Sequence, residues 1–206
     1  MSPEWFRNTT WDESVERAFE ENLRRTKRKE QYLRIQACTL ADSRPDIALK
    51  LLDRYFQLPD DFDHAQAYVD RATALLALGR VNEAMAAYEA ALAREAAFPN
   101  LRTGAWLDLP FLIASRGIRE FYDRALDLLH THEGRLMFPV DHFRWQAAHA
   151  LIAAESREPG VAKVHAERAL EAAAREHSGF RYHPGIGLVG EQYGSVISKL
   201  EAYSAA

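Results

Sequence analysis

The chain has 206 residues, 30 acidic and 26 basic side chains, and a single cysteine, which corresponds to one domain or to one domain with a tail. It holds 34 Ala and 23 Leu against 8 Val and 7 Ile. Because Ala and Leu favour helices whereas β-branched residues favour strands, this composition excludes a β-sandwich and a parallel α/β fold. The net charge of −4 argues against nucleic-acid binding, no apolar run has the length of a membrane span, and one cysteine cannot form a disulfide framework. We therefore expect an all-α, cytoplasmic protein with no nucleic-acid or membrane partner.

The first expected element is an N-terminal capping helix within residues 1–28. Thr10 and Glu13 have the spacing of a capping box, which predicts a helix start. Apolar residues follow at intervals of about one turn, namely Trp11, Val15, Phe19 and Leu23. No Gly or Pro separates this helix from the next one, so the sequence leaves open whether a single helix continues to about Leu40.

The clearest pair of elements lies in residues 65–99. A helical stripe precedes Gly79, which supplies a helix stop, and a second stripe follows it and ends before Pro99. The first stripe consists of Ala67, Tyr68, Ala72, Leu75 and Leu76, and the second of Ala84, Tyr88, Ala91 and Leu92. The pattern predicts a helix–turn–helix hairpin with small residues where the two helices cross.

This hairpin resembles a tetratricopeptide repeat, a unit of about 34 residues. The family's aromatic, small and glycine positions are matched by Tyr68, Ala72, Gly79, Ala84, Tyr88 and Ala91, whereas Arg71 and Ala96 stand where the family prefers Leu and Pro. Weaker copies of the pattern cover residues 29–62, 104–139 and 142–177. The copy at 29–62 closes at the turn Pro59-Asp60-Asp61, and Pro110 interrupts the helix pattern of the copy at 104–139.

The resemblance implies a single domain over residues 1–206. Its fold is a right-handed α-solenoid of about four degenerate helix-turn-helix repeats with a capping helix at each end. Residues 178–206 form an aromatic and glycine-rich loop followed by the C-terminal helix.

Motifs that carry chemistry are sparse. Residues 185–190 match G-x-G-x-x-G, but the dinucleotide fingerprint needs a preceding strand, so we interpret them as a flexible connector. His149 and His165 lie on two expected helices of one repeat and can meet, yet no metal-ligand motif accompanies them. Cys38 lies in an apolar helical stretch, where thiols are usually inert packing residues. We predict no cofactor, no metal, no catalytic residue and no enzymatic activity.

Candidate binding residues fall into two groups. The resemblance implies that the first helices of the hairpins line a concave groove, which carries Arg34, Asp70 and Asp108 among apolar residues such as Phe111, Phe143 and Ala150. This groove suits a protein or peptide segment, although the terminal segments of the chain itself can equally fill it.

The second group is the segment 178–184, which has no helical period. Its Arg181, Tyr182 and His183 offer hydrogen bonds and stacking area to a ligand. The opposite interpretation is that the segment plugs the end of the last repeat, with Phe180 and Tyr182 buried.

The sequence thus favours a protein–protein interaction module, acting as adaptor, scaffold or neutralising partner through the groove or the loop. One alternative is a small-molecule-binding or catalytic protein in which Arg181, Tyr182 and His183 act with Asp141, His142 and Arg144. Another is a self-associating structural protein that uses the end helix, so that both a monomer and a homodimer are open.

Overall fold

The computed structural model describes residues 4–59 and 62–205. Within these ranges the chain forms ten α-helices and no strand, which confirms the all-α class. The helices are α1 (Glu13–Arg25), α2 (Lys29–Leu40), α3 (Pro45–Phe56), α4 (His64–Ala77), α5 (Val81–Ala97), α6 (Ala105–Arg116), α7 (Tyr122–His132), α8 (Pro139–Glu155), α9 (Pro159–Ala173) and α10 (Gly194–Ala205). Asp60 and Asp61 of the expected turn, and the outermost residues 1–3 and 206 of the expected capping segments, lie outside the described residues. None of the described helices combines the length and apolarity that crossing a bilayer requires.

The chain divides into two compact units, which we call the N-terminal unit, up to Ala105, and the C-terminal unit, from Trp106 onwards. Each of the four expected repeats corresponds to two of the helices, although α4 begins at His64 and α8 at Pro139, ahead of the expected starts at residues 65 and 142. Membership of the tetratricopeptide family, the solenoid and the single domain remain predictions.

The N-terminal helix ends earlier than a continuous helix to Leu40 requires. α1 stops at Arg25, and Thr26 adopts an extended conformation before α2 begins at Lys29. A continuous helix would place Arg24 beside Arg28 and Arg25 beside Lys29, one turn apart, and like charges at that spacing destabilise a helix. At the start of α1 the cap is Asp12, whose carboxylate accepts hydrogen bonds from the N–H groups of Ser14 and Val15. The capping box expected at Thr10 is therefore wrong.

In the N-terminal unit, α2, α3, α4 and α5 pack in sequence, and α1 packs on α2. The segment before α1 folds onto this layer, with the Trp5 ring 4.8 Å from the Tyr32 ring and 5.4 Å from the Phe19 ring. Asn8 donates from its side chain to Oε1 of the fully buried Gln36 over 2.8 Å. The N-terminal aromatic residues thus serve the core of this unit.

In the C-terminal unit, α8 packs against α9, and α10 covers both of them. The Tyr193 ring, just before α10, lies 5.1 Å from the Phe143 ring and 5.7 Å from the Phe111 ring. Pro110 lies inside α6 rather than ending it, so the expected interruption is wrong. Its side chain is among the most deeply buried of the chain, and this packing offsets the hydrogen bond that proline removes from a helix.

Candidate functional site

The first candidate group, in the N-terminal unit, is a buried ion-pair cluster. Arg34 on α2 donates from Nη1 to Oδ2 of Asp70 on α4 over 3.1 Å and from Nε to Oδ2 of Asp63 over 3.2 Å. Gln66 donates to the remaining oxygen of Asp70 over 3.1 Å. Burial raises the pKa of Asp70, while the hydrogen bonds and charge of Gln66 and Arg34 oppose this shift. Because Asp70 is only 4% exposed, its carboxylate serves the packing of α2 on α4.

Cys38 lies beside this cluster and not in the apolar core. The residue is exposed, and its thiol lies near enough to the Asp70 carboxylate to feel its charge. Partial burial of the thiol and the Asp70 carboxylate raise the pKa of Cys38. The interpretation of Cys38 as an apolar packing residue is therefore wrong, although the raised pKa disfavours the reactive thiolate.

The C-terminal unit contains a similar ion pair. Here the aspartate precedes the arginine in the chain, whereas in the N-terminal unit the arginine comes first. Arg144 on α8 donates from Nη2 to Oδ1 of Asp108 on α6 over 2.7 Å, and its guanidinium lies 5.0 Å from the centre of the Phe111 ring. The two partners are 36 residues apart, as are Arg34 and Asp70. In each unit the pair joins the first helices of the two hairpins.

These contacts leave little of the expected groove available for a ligand. Arg34, Asp70, Asp108 and Arg144 bind one another, so their charges are already compensated. In the C-terminal unit, the apolar positions of α8 that the groove was expected to expose are buried, including Phe143 and Ala150. The packing cluster of Phe143 includes Val189 and Tyr193. Here the C-terminal segment of the chain occupies the positions assigned to a partner.

Asp141 and Arg144, considered from sequence for a catalytic role with the loop, are engaged in other contacts. Asp141 accepts hydrogen bonds from the N–H groups of Phe138 over 3.0 Å and Met137 over 3.3 Å. Its carboxylate thereby caps the start of α8, as expected for an acidic residue in a first turn. Arg144 is paired with Asp108, so both groups already have partners within the C-terminal unit.

The loop itself is exposed, contrary to the plug interpretation. Tyr182 is 79% exposed, Ile186 49% and Phe180 41%, and Met137 just before α8 is 62% exposed. The guanidinium of Arg181 lies 5.4 Å from the centre of the Tyr182 ring. We call Met137, Phe180, Arg181, Tyr182 and Ile186 the loop surface. The expected burial of Phe180 and Tyr182 is wrong.

Backbone hydrogen bonds give this loop a defined conformation. Ser178 N–H donates to the Pro184 carbonyl over 2.8 Å, and His183 N–H donates to the Phe180 carbonyl over 3.1 Å. The loop is joined to α8 by the Val140 N–H, which donates to the Gly187 carbonyl over 2.8 Å, and by the Phe180 ring, 5.3 Å from the Phe138 ring. Residues 137 and 138 were not among the sequence candidates. Their only sequence signal is Pro139, which marks the start of α8 next to them.

Gly187 explains why the G-x-G-x-x-G segment needs glycine here. Its φ is +67°, and a Cβ added at this position would lie 2.5 Å from the Phe138 side chain. The glycine therefore permits both the left-handed backbone and the close approach to α8. This is a packing requirement, and the segment leads into α10 with no strand before it among the described residues.

The two histidines expected to meet do so. The rings of His149 on α8 and His165 on α9 stack with centroids 4.8 Å apart, and the Trp145 ring lies 4.1 Å from that of His149. Burial, and then the neighbouring His165, lower the pKa of His149 to about 4. The described residues contain no group of three or more side chains suited to holding a metal ion.

Comparison with known proteins adds no assignment to this geometry. No protein-family model matches the chain, and no curated protein or solved structure is significantly similar to it.

Proposed function

We propose that the chain is a cytoplasmic protein–protein interaction module that contacts a protein or peptide partner through the loop surface. The observation that carries the proposal is the exposure of Phe180, Tyr182 and Ile186 on one short segment. Met137, also exposed, directly precedes Phe138, on which this segment packs. Neighbouring exposed apolar side chains mark interaction sites, whereas single ones are normal. Aromatic residues, Met and Arg are also the side chains enriched in protein interfaces.

The first helices of the hairpins support this choice by contrast. Arg34 and Asp70, like Asp108 and Arg144, are engaged in ion pairs within their own unit. A partner that used them would have to break a partly buried pair, which leaves an uncompensated charge. The loop surface requires no such rearrangement.

Self-association through the end helix has less support. The outward side chains of α10 include Ser195, Ser198 and Lys199, which are all exposed. Its apolar residues Val196, Ile197 and Leu200 belong to the packing cluster of the C-terminal unit. A polar outward face is typical of a helix that ends a packed array rather than of a dimer interface.

Co-purification from the native lysate tests the proposal. The bait is the full chain as wild type, as a Phe180→Ser/Tyr182→Ser variant, and as a Leu78→Ser variant that changes an exposed apolar residue of the N-terminal unit. Circular dichroism first establishes that all three are equally folded. We expect a partner that is retained by wild type and Leu78→Ser and lost from the loop variant. A partner retained equally by all three baits, or none with wild type, would contradict the proposal.

A further inference from the structure

The loop surface has a different charge from the chain as a whole. The protein carries a net charge of −4, yet no acidic residue lies between Glu176 and Glu191. This stretch contains Arg181 and two histidines, His177 and His183. With histidine neutral, the formal charge of this stretch is therefore that of Arg181 alone. The Asp141 carboxylate beside Met137 is engaged by the N–H groups of Met137 and Phe138. A partner of complementary charge would be acidic.

Of the three candidate arginines, Arg181 is the one that remains available for a ligand. Arg34 and Arg144 each bind aspartate within the chain. For Arg181, by contrast, the described residues provide a contact with the Tyr182 ring and no ion pair. Its N–H donors are thus free to bind an acceptor on another molecule.

The ring beneath the guanidinium favours one kind of acceptor. When an aromatic ring covers one face of a guanidinium, the N–H groups at its edge stay available. Two of these N–H groups match the two oxygens of a carboxylate. Phe180 and Ile186 are exposed on the same segment and offer apolar area that can exclude water from the contact.

We propose that the loop surface binds an acidic protein segment. An Asp or Glu carboxylate of that segment pairs with Arg181, and apolar side chains next to it in the partner pack on Tyr182, Phe180 and Met137. This inference rests on the function proposed above and specifies the chemistry of the partner.

Peptide selection tests the inference without knowledge of the natural partner. A phage-displayed library of random peptides of about twelve residues, a length that spans such a surface, is selected on the wild-type chain. It is selected in parallel on Phe180→Ser/Tyr182→Ser. We expect peptides that bind only the wild type and that are enriched in Asp or Glu next to Phe, Leu, Ile or Trp.

The outcomes separate the inference from the function on which it rests. Loop-dependent peptides without an acidic bias, or with Lys and Arg, would overturn the inference and leave the interaction module in place. Peptides that bind both baits equally would overturn the loop surface as the binding site, and with it both proposals. A selection that yields no binders overturns the inference, and co-purification then decides the function independently.

A charge reversal tests the role of Arg181 directly. The affinity of one selected peptide is measured by fluorescence anisotropy for wild type, Arg181→Glu and the control Arg17→Glu, which makes the same charge change on the exposed face of α1. We expect Arg181→Glu to weaken binding by about 10- to 100-fold, the range for a lost charge-assisted hydrogen bond, and Arg17→Glu to leave it unchanged. Equal effects of the two variants would show that only net charge matters and would overturn the assigned contact.

Discussion

The position of the loop surface depends on Gly187, and a series of three glycine variants tests this dependence. Gly187 combines a φ of +67° with a Cβ position 2.5 Å from Phe138. Gly179 has a φ of +89° and open space around its Cβ position, whereas Gly185 has neither constraint. An L side chain in the left-handed region costs about 1–2 kcal/mol, and overpacking against a side chain costs about 1–3 kcal/mol.

We therefore expect Gly187→Ala to lower the free energy of unfolding by about 2–5 kcal/mol, the sum of the two costs. Gly179→Ala should lower it by about 1–2 kcal/mol, and Gly185→Ala by less than about 0.5 kcal/mol. Urea unfolding followed by circular dichroism measures the global effect, and the rate of trypsin cleavage after Arg181 measures local release of the loop. If Gly187→Ala matched Gly185→Ala in both measurements, the docking of the loop on α8 would be refuted.

Two further perturbations test the packed interior of each unit. The unfolded chain protonates His149 near pH 6.5, whereas the folded chain does so only near the lowered pKa of about 4. Wild type should therefore lose stability as the pH falls through this window. The loss should be about 1–2 kcal/mol, because partial exposure reduces the full shift, which corresponds to about 3 kcal/mol. Urea unfolding at pH 7 and pH 4.5 should show a smaller loss for His149→Gln and an unchanged loss for the exposed control His130→Gln; equal pH dependence in all three would contradict the buried pair. In the N-terminal unit, Arg34→Met should cost about 3–5 kcal/mol because it leaves the Asp70 carboxylate buried and unpaired. Arg34→Met/Asp70→Leu should recover most of that loss in the same assay, and a double variant no more stable than the single one would contradict this explanation.

The hairpin of α4 and α5 shows what the sequence determines locally. Gly79 has a φ of +72°, and the N–H groups of Gly79 and Arg80 donate to the carbonyls of Leu76 and Leu75, which closes α4. Both the stop signal and the helical stripes on either side of it are short-range features, so periodicity was sufficient to place this turn. The break after Arg25 carries no Gly or Pro, so the sequence left open whether α1 and α2 are one helix. The signal of this break is repulsion among basic side chains.

The candidate site depends on contacts between distant parts of the chain. The spacing of 36 residues placed Arg34 and Asp70 at equivalent positions of two hairpins, but whether such groups face a ligand or each other depends on the approach of α2 to α4. For the loop, the absence of a helical period identified Arg181, Tyr182 and His183. Its exposure depends on docking to Phe138, about 40 residues earlier, which no local pattern encodes.

Site-specific photo-crosslinking tests the central claim most directly, because it reports what touches the loop surface in the native mixture. A photoreactive phenylalanine analogue replaces Tyr182 in one protein and Leu78, an exposed residue of the N-terminal unit, in a second. After irradiation in native lysate, covalent adducts are identified by mass spectrometry. We expect a protein adduct at position 182 that is absent at position 78. No adduct at position 182, or the same adduct at both positions, would contradict the assignment of the loop surface as the binding site.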